Sequence, residues 1–282
     1  MFKITLLFLL STTYIFSNIN AVVSILPQKT FVKAIGGDKV NVALMVQPGN
    51  SPHTYEPKPS QMIEIAKADL YFSIDVEFED VWLPKFQNLN TKMKVVDLAD
   101  NISKIHMAHA HGEHHDDHGH EGEDPHIWTS PANVKIIAEN IYLALSAADK
   151  ENTNYYKQNL DTFLKKIEKI DTQIKQILSP IKVHRRFMVF HPSWGYFAKD
   201  YDLEQIAVEV EGKEPKPKEL IHLLQEAKEE KVKAIFTQPE FSDTVAKIIA
   251  KELQIPVVKV SPLAPNWSEN LIKIANTIAG KN

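Results

Sequence analysis

Residues 154–178 read NYYKQNLDTFLKKIEKIDTQIKQIL, and their pattern decides the architecture. Neither glycine nor proline interrupts this stretch before Pro180. Its apolar side chains recur at intervals of three and four residues, the spacing of one helix face: Leu160, Phe163, Leu164, Ile167, Ile170, Ile174, Ile177 and Leu178. This predicts one amphipathic helix of about 25 residues, roughly 37 Å long at 1.5 Å per residue. Such a helix can cross a whole protein; a surface helix on a single domain is the alternative.

On both sides of this helix, short β-branched runs alternate with helical patterns, which indicates parallel α/β layers. Before it, the predicted strands are Val22–Leu26, Val40–Val46, Asp69–Ile74 and Met93–Asp97, with helices at Thr30–Ile35 and Ser60–Ala68. After it, the strands are Phe187–Phe190, Gln205–Glu209, Val232–Phe236 and Val257–Val260, with helices at Trp194–Tyr201, Lys218–Glu229, Thr244–Leu253 and Asn270–Ile278.

The simplest assembly is an α/β protein of two lobes with parallel sheets, joined by one long rigid helix. We expect an N-terminal lobe over residues 22–148, a linking helix over 149–180 and a C-terminal lobe over 181–282. The cleft between two such lobes is the expected place for a ligand.

Composition excludes one class of partner. The chain has 282 residues, 44% of them hydrophobic, and a net charge of −4 with a pI near 6.3. It can bury a substantial core, but it has no basic field for nucleic acid, so we expect no nucleic-acid partner.

The first 21 residues resemble a secretory signal peptide. Lys3 precedes an apolar stretch that is too short to span a bilayer, and the small residues Ser17 and Ala21 offer cleavage sites. We expect cleavage near Ala21; an uncleaved membrane anchor is the alternative. The sequence contains no cysteine, which excludes disulfides, thiolate metal sites and a lipid-accepting cysteine. An exported chain without an anchor is expected in the periplasm.

Seven of the twelve histidines crowd into one acidic, low-complexity tract: His106, His109, His111, His114, His115, His118 and His120. Such a segment cannot form a packed core, so we expect a disordered loop over residues 106–123. Histidine-rich tracts bind transition metals through neutral imidazole, which predicts a weak metal-binding loop. The alternative is a solvated acidic loop whose histidines bind nothing.

Three further histidines stand beside proline at strand exits or in loops: His53, His126 and His191. Functional side chains of α/β proteins often occupy such positions. Their separations of 73 and 65 residues mean that only the tertiary fold can bring them together, and no HExxH or HxxEH pair is present. His184 and His222 are assigned to the solvated surface.

At these residues the chain resembles the cluster A-I metal-binding proteins of ABC importers, specifically the ZnuA-like zinc branch. The segment 49–70 is similar to the family's G-x-x-P-H-x-Y-E-P-x-P…A-D-L signature, and 124–131 matches its second motif. The third motif is matched by 191–198, with 209–215 and 236–242 behind it.

The resemblance implies a protein that catalyses no reaction and holds one Zn²⁺ in the cleft between its lobes. His53 and His126 would come from the first lobe and His191 from the second, with a carboxylate such as Asp124 able to orient an imidazole. The implied partner is the membrane permease of a zinc ABC transporter. We expect a monomer that binds no organic small molecule.

Two departures leave the fourth ligand open. Ser261 stands where the family often has an aspartate, and Pro52 stands where one zinc subgroup has a glutamate. Water or a carboxylate such as Glu240 are both candidates. The alternative functions are a binding protein for manganese or another divalent metal, a three-histidine zinc enzyme, and a surface adhesin or passive metal buffer.

Overall fold

Two four-stranded parallel sheets organise the protein. The structure is a computed structural model that describes residues 18–107, 122–209 and 213–281. The first sheet has the strand order β2-β1-β3-β4 and the second the order β6-β5-β7-β8. Each order places the lobe's first strand in the interior and reverses direction there, so the crevice of each sheet opens at the carboxyl ends of its strands.

The first lobe contains strands β1 to β4 and helices α1 to α4. The strands are β1 Ile19–Val23, β2 Val40–Leu44, β3 Leu70–Ser73 and β4 Lys94–Asp97. The helices are α1 Leu26–Gly36, α2 Pro59–Lys67, α3 Glu77–Leu89 and α4 Pro131–Ala148. Helices α3 and α4 are absent from the sequence prediction; Pro84 lies inside the first and Ser130 caps the second by accepting a hydrogen bond from the Asn133 N–H.

The second lobe repeats this arrangement. Its strands are β5 Arg186–Val189, β6 Glu204–Ala207, β7 Ile235–Thr237 and β8 Val257–Lys259. Its helices are α6 Gly195–Asp200, α7 Pro217–Glu229, α8 Thr244–Leu253 and α9 Trp267–Ile278. The predicted α/β class with parallel sheets is confirmed.

The helix α5, Thr153–Leu178, connects the lobes. It packs against α1 and α4 of the first lobe and α9 of the second. Phe31 of α1 shows how closely they meet, since its ring centroid lies 5.8 Å from that of Phe163 on α5 and 5.5 Å from that of Trp267 on α9. The alternative of a helix packed on one domain is wrong. One hydrophobic core runs from the first lobe through α5 into the second.

Polar contacts also join the lobes close to the cleft. The Trp128 Nε1–H donates to the Pro262 carbonyl at 2.9 Å, and the Trp267 Nε1–H donates to the Trp128 carbonyl at 2.7 Å. The Tyr196 hydroxyl donates to the Asp124 carbonyl at 2.8 Å. Both lobes therefore hold the segment that follows the histidine-rich tract.

The start of the first strand was predicted wrongly. Strand β1 begins at Ile19, and Pro27 lies in the first turn of α1 rather than closing a strand, because proline is preorganised for a helix start. Residues 19–21 pair in parallel with residues 40–42 of β2. Cleavage near Ala21 would remove three residues of an interior strand.

The two ends of the predicted disordered loop are ordered. His106 forms an isolated antiparallel bridge with Glu123, so the expectation of disorder from residue 106 to 123 is wrong at both of these residues. The other histidines of the tract, from His109 to His120, lie outside the described residues. Within 18–107, 122–209 and 213–281, no helix is long and apolar enough to cross a membrane.

A buried carboxylate holds the turn after β3. Glu79, only 4% exposed, accepts hydrogen bonds from the Ser24 hydroxyl and from the backbone N–H groups of Ile74 and Asp75. Asp75 has a left-handed backbone, with φ of 61°, which this anchoring supports. Burial raises the pKa of Glu79 to about 7 in spite of these hydrogen bonds.

We expect Glu79→Gln to change how stability depends on pH. Because the folded-state pKa is raised, burial of Glu79 costs no ionisation free energy below pH 4.5, and this cost grows to about 3 kcal/mol as the pH rises through 7. The glutamine lacks this cost. The free energy of unfolding of the variant, relative to that of wild type, should therefore be higher at pH 8 than at pH 5, as measured by urea unfolding of metal-free protein.

Glu64→Gln, at an exposed position on α2, is the matched control and should show no such pH-dependent difference. An equal effect of Glu79→Gln at both pH values would contradict the raised pKa.

Candidate metal centre

Three strand exits bring three histidines into the cleft. His53 lies on the connection that leaves β2, His126 on the connection that leaves β4, and His191 two residues beyond the end of β5. The carboxyl ends of the strands of both sheets therefore face the same space. Each histidine offers a ring nitrogen within 4.8 Å of those of the other two.

Each of the three imidazoles is paired with a carboxylate through its Nδ1 atom. The Nδ1 of His53 lies 2.8 Å from Glu77 Oε1, and that of His126 lies 2.7 Å from Asp124 Oδ1. His191 Nδ1 lies 2.7 Å from Glu209 Oε1. A carboxylate accepts a hydrogen, so each Nδ1 carries the proton and each Nε2 is left with its lone pair. This is the tautomer that binds a metal ion through Nε2.

Packing restricts the rings on two sides. His126 is 5% exposed and His191 is 6% exposed. Phe241 stacks on His191 with ring centroids 4.9 Å apart, and the Trp128 ring centroid lies 5.3 Å from that of His126. His53 differs, because 29% of its side chain is exposed. The first-lobe loop thus carries the histidine that solvent can reach.

The two environments shift imidazole pKa values in opposite directions. The hydrogen bond to Glu77 raises the pKa of His53 above its ordinary value of 6.5, more than burial lowers it. Burial lowers the pKa of His191, although its hydrogen bond to Glu209 acts the other way. The lowered pKa favours the neutral form of His191. The raised pKa means that His53 keeps its second ring proton, on Nε2, more strongly, and that proton must leave before a metal ion can bind there.

The site fits a metal ion. His191 Nε2 is buried without a hydrogen-bond partner, which is costly unless something binds it. The cavity lined by the three histidines has a volume of ≈ 20 Å³. That is enough for one water molecule or ion.

No described carboxylate completes the histidine group. Glu240 lines the cavity, but its Oε1 accepts a hydrogen bond from Ser261 Oγ at 3.2 Å, and burial raises its pKa. Among the described residues, the cluster of His, Cys, Asp and Glu side chains able to hold a metal consists of the three histidines alone. Glu240 is therefore not part of this histidine cluster.

Sequence reasoning missed Glu77 and Glu209 as partners of the ligands. The available signal for Glu77 was its place shortly after a parallel strand, where β3 ends at Ser73. Asp124 was anticipated correctly as a partner for an imidazole. His184 and His222 are exposed, as predicted.

Comparison with known proteins places this geometry in a family. Residues 21–280 match the family described as zinc-uptake complex component A, periplasmic, ZnuA. The chain belongs to this family. A crystal structure of ZnuA shares 41% identity with it at a TM-score of 0.85, covering 93% of this chain and 98% of that chain. A zinc-bound deletion mutant of ZnuA matches with the same identity and TM-score.

Curated relatives are longer or more distant. The zinc-binding lipoprotein AdcA of Streptococcus pneumoniae is 29% identical over 94% of this chain and 52% of its own length, so this chain spans about half of that relative. A metal ABC transporter substrate-binding lipoprotein of Lactococcus lactis is 30% identical over 85% of this chain and 77% of its own length. The laminin-binding adhesin Lmb of Streptococcus agalactiae is 26% identical, with a TM-score of 0.78 over 93% of this chain and 100% of Lmb.

We expect the imidazoles of the metal-free protein to titrate on opposite sides of the ordinary value. NMR correlation of the imidazole nitrogens should give a midpoint above 6.5 for His53 and below 6.5 for His191. Glu77→Gln should lower the His53 midpoint, because a neutral amide cannot stabilise the charged ring as a carboxylate does. The His191 midpoint should change much less and serves as the internal control. An unchanged His53 midpoint would contradict the assigned role of Glu77.

Proposed function

We propose that this chain is the zinc-binding subunit of an ABC importer. It captures Zn²⁺ outside the cytoplasmic membrane and delivers the ion to a membrane permease. The observation that carries the proposal is the convergence of three imidazoles, each with its Nδ1 paired to a carboxylate, on one small cavity. Three histidines suit a borderline metal such as zinc better than the hard ions Mg²⁺ and Ca²⁺.

The chain's own groups divide the work of binding. Glu77, Asp124 and Glu209 keep the Nδ1 protons and fix the rings, which raises ligand basicity. Burial of His126 and His191 excludes water from two ligands. His53 must lose its proton before it can bind, so affinity falls as the pH drops through the imidazole range.

The same features favour zinc over manganese and binding over catalysis. A manganese-bound periplasmic protein from Candidatus Liberibacter asiaticus shares the fold at 24% identity. In this chain the donors are imidazoles, and hard ions prefer oxygen. A zinc enzyme needs space for a substrate beside the metal, and the cavity of ≈ 20 Å³ offers none for an organic molecule. The proposed molecule is therefore a carrier of one ion, and its expected state is a monomer.

The histidine-rich tract is proposed to be an accessory. The residue before the tract contacts the segment that carries His126, because the Asp124 N–H donates to the Ile105 carbonyl at 2.8 Å. Weak sites on His106 and the six histidines beyond it would raise the local zinc concentration beside His126.

We expect His53→Ala, His126→Ala or His191→Ala each to weaken zinc binding by at least ~100-fold, since even loss of a residue that only orients a ligand costs 10–100-fold. Competition with a chromophoric chelator measures the affinity, and circular dichroism confirms the fold. His184→Ala and His222→Ala remove exposed histidines outside the site and are matched controls. Wild-type affinity in any single-ligand variant would remove that residue from the site.

A variant lacking residues 107–121 should keep the tight site and lose only weak binding.

We also propose that the leader is cleaved before strand β1, at Ser17 rather than Ala21. Residues 19–21 contribute to an interior strand, so a mature chain beginning at Val22 would leave β2 and β3 without much of their common neighbour. The expected mature N-terminus is Asn18. Intact-mass measurement of protein exported with its own leader tests this, and a chain beginning at Val22 would contradict it.

A further inference from the structure

A buried amide shares the metal cavity with the three histidines. Gln238 directly follows β7 and is 3% exposed. Gln238 is among the residues that line the cavity. It lies within the segment 236–242 that resembles the family, but it is uncharged, so the search for carboxylate ligands did not point to it.

Hydrogen bonds fix which way this amide is turned. Gln238 Nε2 donates to the His191 carbonyl at 3.3 Å and to Ser193 Oγ. The Ser193 hydroxyl spends its own hydrogen on the same carbonyl, at 3.2 Å, so it accepts from Gln238. A carbonyl oxygen can only accept, which requires the amide nitrogen of Gln238 to face it. The remaining atom, Oε1, is therefore an acceptor.

That acceptor has no partner. Gln238 Oε1 and His191 Nε2 are both buried and both lack a hydrogen bond within the described part of the chain. His191 Nε2 is also an acceptor, because the ring proton is on Nδ1 facing Glu209. Two buried acceptors on residues that line one cavity leave a place for a cation and the hydrogens of a water bound to it.

We propose that Gln238 completes the metal site and helps to determine its specificity. Its Oε1 serves the fourth coordination position, either as a ligand or by accepting a hydrogen bond from the water that is the ligand. This inference rests on the proposed zinc-binding function. Glu240 and Ser261, the other candidates, already bond to each other. A neutral amide leaves the site without the anionic oxygen that hard ions such as Mn²⁺ prefer.

The test compares wild type with Gln238→Met, which keeps the length of the side chain and removes the amide. Zinc affinity is measured by chelator competition, and the visible absorption of the Co²⁺-substituted protein reports the coordination sphere. Gln238→Met should bind zinc about 10–100-fold more weakly, and its Co²⁺ spectrum should change in intensity and position.

Gln205→Met is the matched control. Gln205 is also a buried amide of the second lobe, but its Oε1 accepts from the Trp194 N–H at 3.0 Å and its Nε2 donates to the Pro192 carbonyl at 3.2 Å. Its loss should lower the melting temperature of the metal-free protein and leave the Co²⁺ spectrum unchanged. A merely structural role for Gln238 would give the same result.

Gln238→Glu provides a second, independent readout. The carboxylate should raise the affinity for Mn²⁺ relative to Zn²⁺ in a competition titration. If wild type binds neither Zn²⁺ nor Co²⁺ tightly, the proposed function fails. If wild type binds both and Gln238→Met matches it in affinity and spectrum, the role of Gln238 is overturned. Should Gln238→Met not fold, an unchanged Mn²⁺ to Zn²⁺ ratio in Gln238→Glu overturns it instead.

Discussion

An imidazole can hold a metal ion only if it is neutral and if the correct nitrogen faces the ion. In this protein three carboxylates meet that requirement. Glu77, Asp124 and Glu209 each occupy one Nδ1 at 2.7 to 2.8 Å, which leaves the three Nε2 atoms to converge. The arrangement depends on the fold, because only Asp124 and His126 are close in the sequence and the other histidines and carboxylates come from separate parts of the chain.

The parallel sheets make this delivery feasible. Loops from the carboxyl ends of β2, β4 and β5 carry the three histidines, and Glu77 is the first residue of α3, which follows β3. The shared core around α5 then fixes the distance between the lobes to which these loops belong. Trp128 and Trp267 add hydrogen bonds across the boundary. Ligands separated by 73 and 65 residues therefore meet without any local sequence motif.

Periodicity predicted the elements whose signal is long and regular. The stretch 154–178 was predicted almost to the residue, since α5 is Thr153–Leu178. The sequence did not reveal that β1 begins at Ile19. An apolar residue shortly before the small residue Ala21 fits the end of a signal peptide as well as the start of a strand. The three histidines were picked out by position and by resemblance to a family. Gln238 was not, because nothing in a sequence reveals that an amide oxygen will be buried without a partner.

The three histidines are buried to different extents, so one side of the site is more accessible to solvent than the other. His126 is 5% exposed on a segment that both lobes hold, and His191 is 6% exposed directly after the second sheet's strand β5. By contrast, 29% of the His53 side chain is exposed, on a loop. His126 and His191 thus form the buried side of the site, and His53 lies on its solvent side. In the proposed zinc site, the ion would therefore enter and leave past His53, the imidazole that solvent can reach. Access to the site would then depend on residues 45–58, the connection that carries His53, rather than on a separation of two lobes that share one core.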